Sequence, residues 1–275
     1  MTTISGDSPS RMRTIVSVLL CLAAATHLPA ASVGFTATGH DSRIDLVWDQ
    51  PEPSDVDGWN VWRAGQAGGQ FYRLNARPLG HTVCSDFLGE NGQTFFYRIT
   101  GVSGERDVST SAVVSATSRA MTDDELLTSV QEATFRYFWH YAHPVSGLAR
   151  EGSGTGDKVT TGGSGFGLMA ILVGVERGFV SREAAASRLL QALTFLQEKA
   201  ARYHGAWAHW LNGRTGRTIP FSPLDDGGDI VETSFLMQGL LATRQYFDRD
   251  NPVEKELRRR ATELWREVEW NWYLG

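Results

Sequence analysis

Cysteine is scarce. The 275-residue chain has two, Cys21 and Cys84, and Cys21 lies inside an apolar run near the N-terminus. If that run is removed on export, Cys84 stands alone, so an internal disulfide is excluded and a structural zinc site is disfavoured. Basic clusters are missing as well. Net charge is −5, and no Lys/Arg run forms a nucleic-acid footprint. An acidic chain repels phosphate, which argues against a nucleic-acid partner. No apolar stretch is long enough to span a bilayer, because the run from Ile15 to Ala25 is too short. That run instead follows Arg11 and Arg13 and precedes the small residues Ala30-Ala31-Ser32, the pattern of a secretory signal over residues 1–32. Leu20 before Cys21 is bulky, which disfavours a lipid-attachment site. The expectation is a secreted or periplasmic protein with no membrane span once the signal is gone. At 41% hydrophobic residues, the remainder can build packed cores.

Texture changes near residue 119. From 33 to 118 the pattern is all-β, with alternation in Val33 to Thr38 and Ile44 to Trp48. Further strand candidates are Gly58 to Arg63, Phe71 to Leu74, Thr94 to Gly101 and Ala112 to Thr117, with Gly, Asn, Asp and Pro between them. About seven short strands at this spacing predict an immunoglobulin-like sandwich. Trp48 on the second strand and Tyr97 in Phe95-Phe-Tyr-Arg-Ile-Thr100 resemble the core aromatics of a fibronectin type III domain. That resemblance implies a fold rather than a chemistry. Trp59 and Trp62 fit either a glycan-stacking face or the sandwich core.

After Met121 the pattern turns helical. Thr122-Asp-Asp-Glu125 is a capping box ahead of the apolar positions Leu126 to Tyr141. A second helix is predicted over about Ser164 to Arg177, stopped by Gly178. A third is capped by Ser181, a fourth runs from about Asp229 to Phe247, and a fifth from Pro252 to about Trp270. Arg258, Arg259 and Arg260 on the fifth read as a solvated face. The connections 142–163 and 203–228 are too long for ordinary helix links and carry Gly and aromatics, which predicts ordered site loops. Trp265, Trp270 and Trp272 read as packing residues awaiting a partner, so the chain is expected to be a piece of a longer protein.

The acids concentrate in one place. Asp225, Asp226, Asp229 and Glu232 fall within eight residues, between Pro223 and the apolar stripe of the fourth helix. Upstream, Trp207, His209 and Trp210 supply aromatic faces with polar edges. Cleaving a glycosidic bond takes two carboxyl groups, roughly 6.5–9.5 Å apart for inversion and roughly 5–5.5 Å for retention. If the fourth helix includes Gly227-Gly228, then Asp225, Asp229 and Glu232 share a face. The same residues also read as an ordinary helix start, with Asp229 and Glu232 forming a capping box and Asp225 and Asp226 near the positive end of the dipole. Trp207 and Trp210 fit sugar subsites or plugs at the end of a helical barrel. His204 and His209 can hydrogen-bond hydroxyls, and their spacing matches no metal motif. Thr160-Thr-Gly-Gly-Ser-Gly-Phe-Gly167 lacks the Gly-Lys-Ser/Thr of a phosphate loop and reads as a Gly-rich helix entry.

Three segments together resemble a known family: Thr160 to Leu168, Gly205-Ala-Trp-Ala-His-Trp-Leu-Asn-Gly213, and Phe221-Ser-Pro-Leu-Asp-Asp-Gly-Gly-Asp-Ile-Val-Glu-Thr-Ser234. They are similar to the glucoamylase-like domain of glycoside hydrolase family 144, which contains β-1,2-glucanases. The resemblance covers about 122–275. It implies an all-α, partial (α/α)6 toroid, so that with the all-β sandwich before it the chain is expected to be multidomain. It further implies inverting hydrolysis of an oligo- or polysaccharide, namely a β-1,2-glucan, with no cofactor; no metal is expected from the spacing of the histidines and acids. The family's aspartates fall on Asp225 and Asp229 as catalytic residues, with Phe166, Trp207, His209, Trp210, Asp226 and Glu232 lining substrate subsites. A further family glutamate lies C-terminal to Gly275. The alternative expectation is a non-catalytic, secreted glycan-binding or surface-interaction protein.

Overall fold

Alternating apolar and polar side chains build two antiparallel sheets in the first part of the chain. The computed structural model describes residues 33–49 and 55–274; the signal-like segment 1–32 lies outside the described residues. One sheet joins β1 (Phe35–His40), β2 (Arg43–Trp48) and β5 (Val83–Phe87) in the order β1-β2-β5. The other joins β3 (Gly58–Ala64), β4 (Tyr72–Arg73), β6 (Thr94–Ser103) and β7 (Arg106–Thr110) in the order β4-β3-β6-β7, with β8 (Val114–Thr117) also paired to β6. The buried sides of both sheets share one core: Phe35, Ile44, Leu46 and Trp48 from the first, Trp59, Val61, Tyr97 and Ile99 from the second. Trp48 packs edge-on against Trp59, 6.0 Å between centroids. Trp59 therefore belongs to the core, while Trp62 is half-buried and donates its indole N–H to Thr100. Strands β5 and β7 were absent from the sequence expectation.

Five helices follow. α1 (Asp123–His140) begins with the predicted capping box, Thr122 and Glu125 bonding reciprocally. α2 (Thr161–Glu176) starts three residues earlier than predicted and ends before Gly178, whose φ of 72° supplies the left-handed stop. α3 (Arg182–Glu198) is capped by Ser181, and α4 (Ile230–Tyr246) by Asp229. α5 (Pro252–Arg266) is capped by Asn251 with proline in its first turn. It ends short of the predicted Trp270, which instead opens a 3-10 turn over Trp270–Leu274. Arg258, Arg259 and Arg260 of α5 are more than a solvated face. Arg258 donates to the Phe247 and Arg249 carbonyls, while Arg259 and Arg260 pair with Glu256, Glu263 and Glu198. Among the described residues no helix is long and apolar enough to cross a membrane.

α2 packs directly on α4, with α1 and α3 against α2, and α5 against α3 and α4. The α2–α4 crossing is close because it is made through glycine. A Cβ on Gly165 would lie 2.2 Å from the Phe235 carbonyl oxygen, and one on Gly239 would lie 2.3 Å from that of Gly165. Gly165→Val is therefore expected to force the helices apart and lower stability by about 1–3 kcal/mol, read as a fall in thermal midpoint. Gly154→Ala, where an added Cβ meets nothing within 4 Å, is the control and should leave the midpoint unchanged.

The β and helical regions are joined by a polar clamp. Arg136 of α1 donates to Asp45 of β2 at 2.7 Å, and Asp45 also accepts from Arg43 at 3.0 Å and Ser85 at 2.8 Å. Burial pushes the Asp45 carboxyl up, but these donors outweigh it and hold the group below its ordinary value. Nearby, Thr82 Oγ1 and His140 Nδ1 lie 3.3 Å apart, and the His81 and Tyr141 rings are in contact at 4.2 Å.

Candidate functional site

The two long connections are ordered because they form a sheet of their own. β9 (Lys158–Thr160), β10 (Trp210–Asn212) and β11 (Thr218–Ile219) pair antiparallel in the order β11-β10-β9, with Trp210 opposite both Thr160 and Ile219. β9 runs straight into α2, and β10 lies just beyond the segment that precedes it beneath the start of α4. The sheet thus gathers the N-termini of α2 and α4 and the aromatic segment at one edge of the helical region.

Asp229 sits at the junction. Its Oδ1 accepts from the Val231 and Glu232 amides at 2.9 Å each, and its backbone amide donates to the Trp207 carbonyl at 2.8 Å. Oδ2 lies 3.1 Å from His209 Nδ1. A carboxylate only accepts, so Nδ1 is the donor and the carboxylate fixes the orientation of the ring. The predicted capping box is only half formed. Glu232 does not reach back to Asp229. Its Oε2 crosses to α2, accepting from the Gly162 amide at 2.7 Å and lying 3.4 Å from Thr160 Oγ1. Thr160, the N-cap residue of α2, makes no side-chain cap bond, and Glu232 fills that role with a charge at the positive end of the helix.

The shared helical face expected for Asp225 and Asp229 does not exist, because α4 begins at Ile230 and Gly227-Gly228 stay outside it. Asp225 instead closes a tight turn: its amide donates to the Ser222 carbonyl at 3.1 Å, and its carbonyl accepts from the Phe221 amide at 2.9 Å. Among the described residues neither its carboxylate nor that of Asp226 has a hydrogen-bond or ion-pair partner. The turn holds Phe221 against the predicted aromatics, 4.3 Å from the His209 ring and 4.6 Å from that of Trp210. Lys158 Nζ lies over the Trp210 ring at 3.7 Å. Phe166 of α2 is half exposed and touches Phe235 of α4 at 5.3 Å.

Trp207 is a correction. It was expected to line a sugar subsite, yet its side chain is fully buried in the helical core, with the Arg202 guanidinium 4.5 Å from its ring. Its backbone bonds the start of α4 through Asp229 and Thr233, so it positions the site from beneath. His204 is also committed elsewhere, paired to Glu269 at 3.0 Å and stacked on Trp272 at 3.9 Å. Phe221, Phe235 and Lys158 were missed. Phe221 stood inside the motif, and a half-exposed aromatic between two prolines was the signal available. Among the described residues no group of three or more His, Cys, Asp or Glu is arranged to hold a metal ion. The assembled site is an open face carrying free carboxylates and an oriented imidazole that adjoins the rings of Trp210 and Phe221.

No family model matches the chain. It is 45% identical over 240 residues to an exo β-1,2-glucooligosaccharide sophorohydrolase (non-reducing end) of Parabacteroides distasonis, a match covering 86% of this chain and 33% of that protein. Its structure superposes on the crystal structure of a β-1,2-glucanase from Parabacteroides distasonis with a TM-score of 0.77 and 43% identity, over 90% of this chain and 36% of the other. An endo-β-1,2-glucanase from Chitinophaga pinensis, solved with sophorotriose and glucose, matches 56% of this chain and 38% of its own at 52% identity and a TM-score of 0.54. The resemblance to β-1,2-glucanases drawn from three segments therefore holds, and in the first two matches it extends into the β region. The chain spans about a third of the length of these relatives.

Proposed function

We propose that this chain is part of a glycoside hydrolase acting on β-1,2-linked glucan or its oligosaccharides. The carrying observation is the turn that bonds the Asp225 backbone to Phe221, whose ring meets those of His209 and Trp210, together with an Asp225 carboxylate that has no partner among the described residues. Apolar ring faces suit the CH face of a sugar, and a free carboxylate beside them can take or give a proton at the scissile bond. Asp229 orients His209 and starts α4, so its role is to fix the site's geometry. The acid partner in inverting hydrolysis comes from outside the Asp225–Glu232 cluster, where Asp229 and Glu232 are engaged and Asp226 is the immediate neighbour of Asp225. In this reading residues 33–118 form a fibronectin type III-like accessory domain and 122–275 contribute to an (α/α)6 toroid. Residues 1–32 direct export to the periplasm or medium.

A specific observation favours a second reading, glycan binding without turnover. Asp229 and Glu232 are both committed to capping bonds, which leaves only the adjacent Asp225 and Asp226 carboxylates free in the cluster. Incubating the full-length protein with linear β-1,2-glucan separates the two. The hydrolase reading expects reducing ends to appear, with β-1,3- and β-1,4-glucans cleaved far more slowly. Saturable binding with no reducing ends from any glucan would replace it with the second.

A further inference from the structure

Two adjoining concavities lie away from these acids, where the β and helical regions meet. A cleft of about 410 Å³ there adjoins a second of about 240 Å³, and the two share His81, His140 and Arg150 in their walls. Arg188 of α3 lines the first. Its guanidinium donates to the Trp139 carbonyl at 3.0 Å and lies 4.7 Å from the Trp139 ring, but it meets no carboxylate. Burial pulls Arg188 below its ordinary value with nothing to offset it. Arg150 is more isolated still. Its guanidinium makes no hydrogen bond or ion pair among the described residues, and its Nε is sealed from solvent.

This differs from how the neighbouring cation is treated, since Arg136 is neutralised by Asp45 and Glu132. Asp49 and Asp57 line the β side of the same cleft, and neither pairs with Arg150 or Arg188; Asp57 accepts from the Gly104 amide instead. The two histidines are held below their ordinary values, first by burial and then by Arg150 for His81 and by Arg136 and Arg188 for His140, so at neutral pH they stand as uncharged donors and acceptors. Removing a charge from water without a counter-charge is costly, and guanidinium groups match oxyanions with paired N–H donors.

We propose that the cleft between the β and helical regions is a binding site for a small oxyanion, held by Arg150 and Arg188 with His81 and His140 at its wall. The shared chemistry is that of inorganic phosphate or the carboxylate of an acidic sugar. This site is independent of the Asp225 face and does not rest on the hydrolase reading.

The test titrates the full-length protein with inorganic phosphate and, separately, glucuronate, each against chloride at matched ionic strength. Calorimetric titration and thermal unfolding are followed together. Saturable binding and a rise in midpoint beyond that in chloride are expected. A stronger response to one of the two anions identifies the source. Arg150→Gln is the decisive variant because that side chain makes no bond in the fold; it should keep its midpoint in chloride and bind roughly tenfold more weakly or worse. Arg188→Gln should weaken binding similarly, although it also loses the bond to the Trp139 carbonyl. Failure of both anions to saturate, a shift no greater than that in chloride, or wild-type binding by Arg150→Gln would each overturn the proposal.

Discussion

Asp225→Asn is expected to lower the rate of glucan hydrolysis by about 10²–10⁴-fold, the usual contribution of a positioned proton-transfer group. The same variant should leave the thermal midpoint where it was. Both halves of that expectation come from one observation. The Asp225 carboxylate has no partner among the described residues, so it contributes little to folding, while its turn is held by backbone bonds that the amide preserves. Asn matches Asp in shape but cannot transfer a proton at neutral pH. Asp229 provides the contrast. Asn is as good an N-cap as Asp, so Asp229→Asn should keep α4 intact while weakening the carboxylate's hold on His209 Nδ1. Its effect on turnover should be smaller than that of Asp225→Asn. Asp229→Ala loses the cap as well and should cost about 1 kcal/mol of stability. Turnover rates and midpoints measured on the three variants decide the matter. Unaltered turnover in Asp225→Asn would remove Asp225 from the chemistry.

Features fixed by a few neighbouring residues were legible in the sequence, and features fixed by distant ones were not. The Thr122–Glu125 capping box, the Ser181 cap and the proline start of α5 are each complete within four residues, and the structure has all three. Asp229 and Glu232 satisfied the same local pattern, yet Glu232 found a better partner seventy residues away at Gly162. Gly-rich Thr161–Gly167 has poor helix propensity, which moved the expected start of α2 too late. The close α2–α4 contact and the Glu232 cap override that propensity. Trp207 looked like a loop residue, and it is one, but its segment runs beneath α4 into the core. β5 and β7 escaped because their alternation is weak: β5 turns Val83 and Asp86 inward, and β7 is largely exposed. The interregional cleft was beyond reach because its walls come from both parts of the chain.

Breaking the clamp between the two regions should have the largest effect on stability. Asp45→Ala removes the one carboxylate facing both Arg43 and Arg136, whose side chains are mostly buried. Removing one partner of a buried pair costs about 3–5 kcal/mol; here Arg43 is left without a carboxylate while Arg136 keeps Glu132, so the loss should lie toward the lower end. The thermal midpoint should fall by roughly 10 °C. Arg136→Met, which removes a charge and keeps the aliphatic packing, should cost less than Asp45→Ala, since Arg43 and Ser85 still satisfy Asp45. Acid should loosen the same junction. His140 is pulled down to about 4, first by burial and then by Arg136, Arg188 and His81. Its folded value is below its unfolded value of 6.5, so its contribution is complete above pH 6.5 and is lost as pH falls toward 4. The full loss amounts to about 3 kcal/mol at 1.36 kcal/mol per unit. Asp45, also held low, adds a loss of the same sign at still lower pH. His140→Gln cannot charge and should flatten the fall in stability between pH 6.5 and 4. If denaturant midpoints across that range decline equally in wild type and His140→Gln, the histidine is not what makes the junction sensitive to acid.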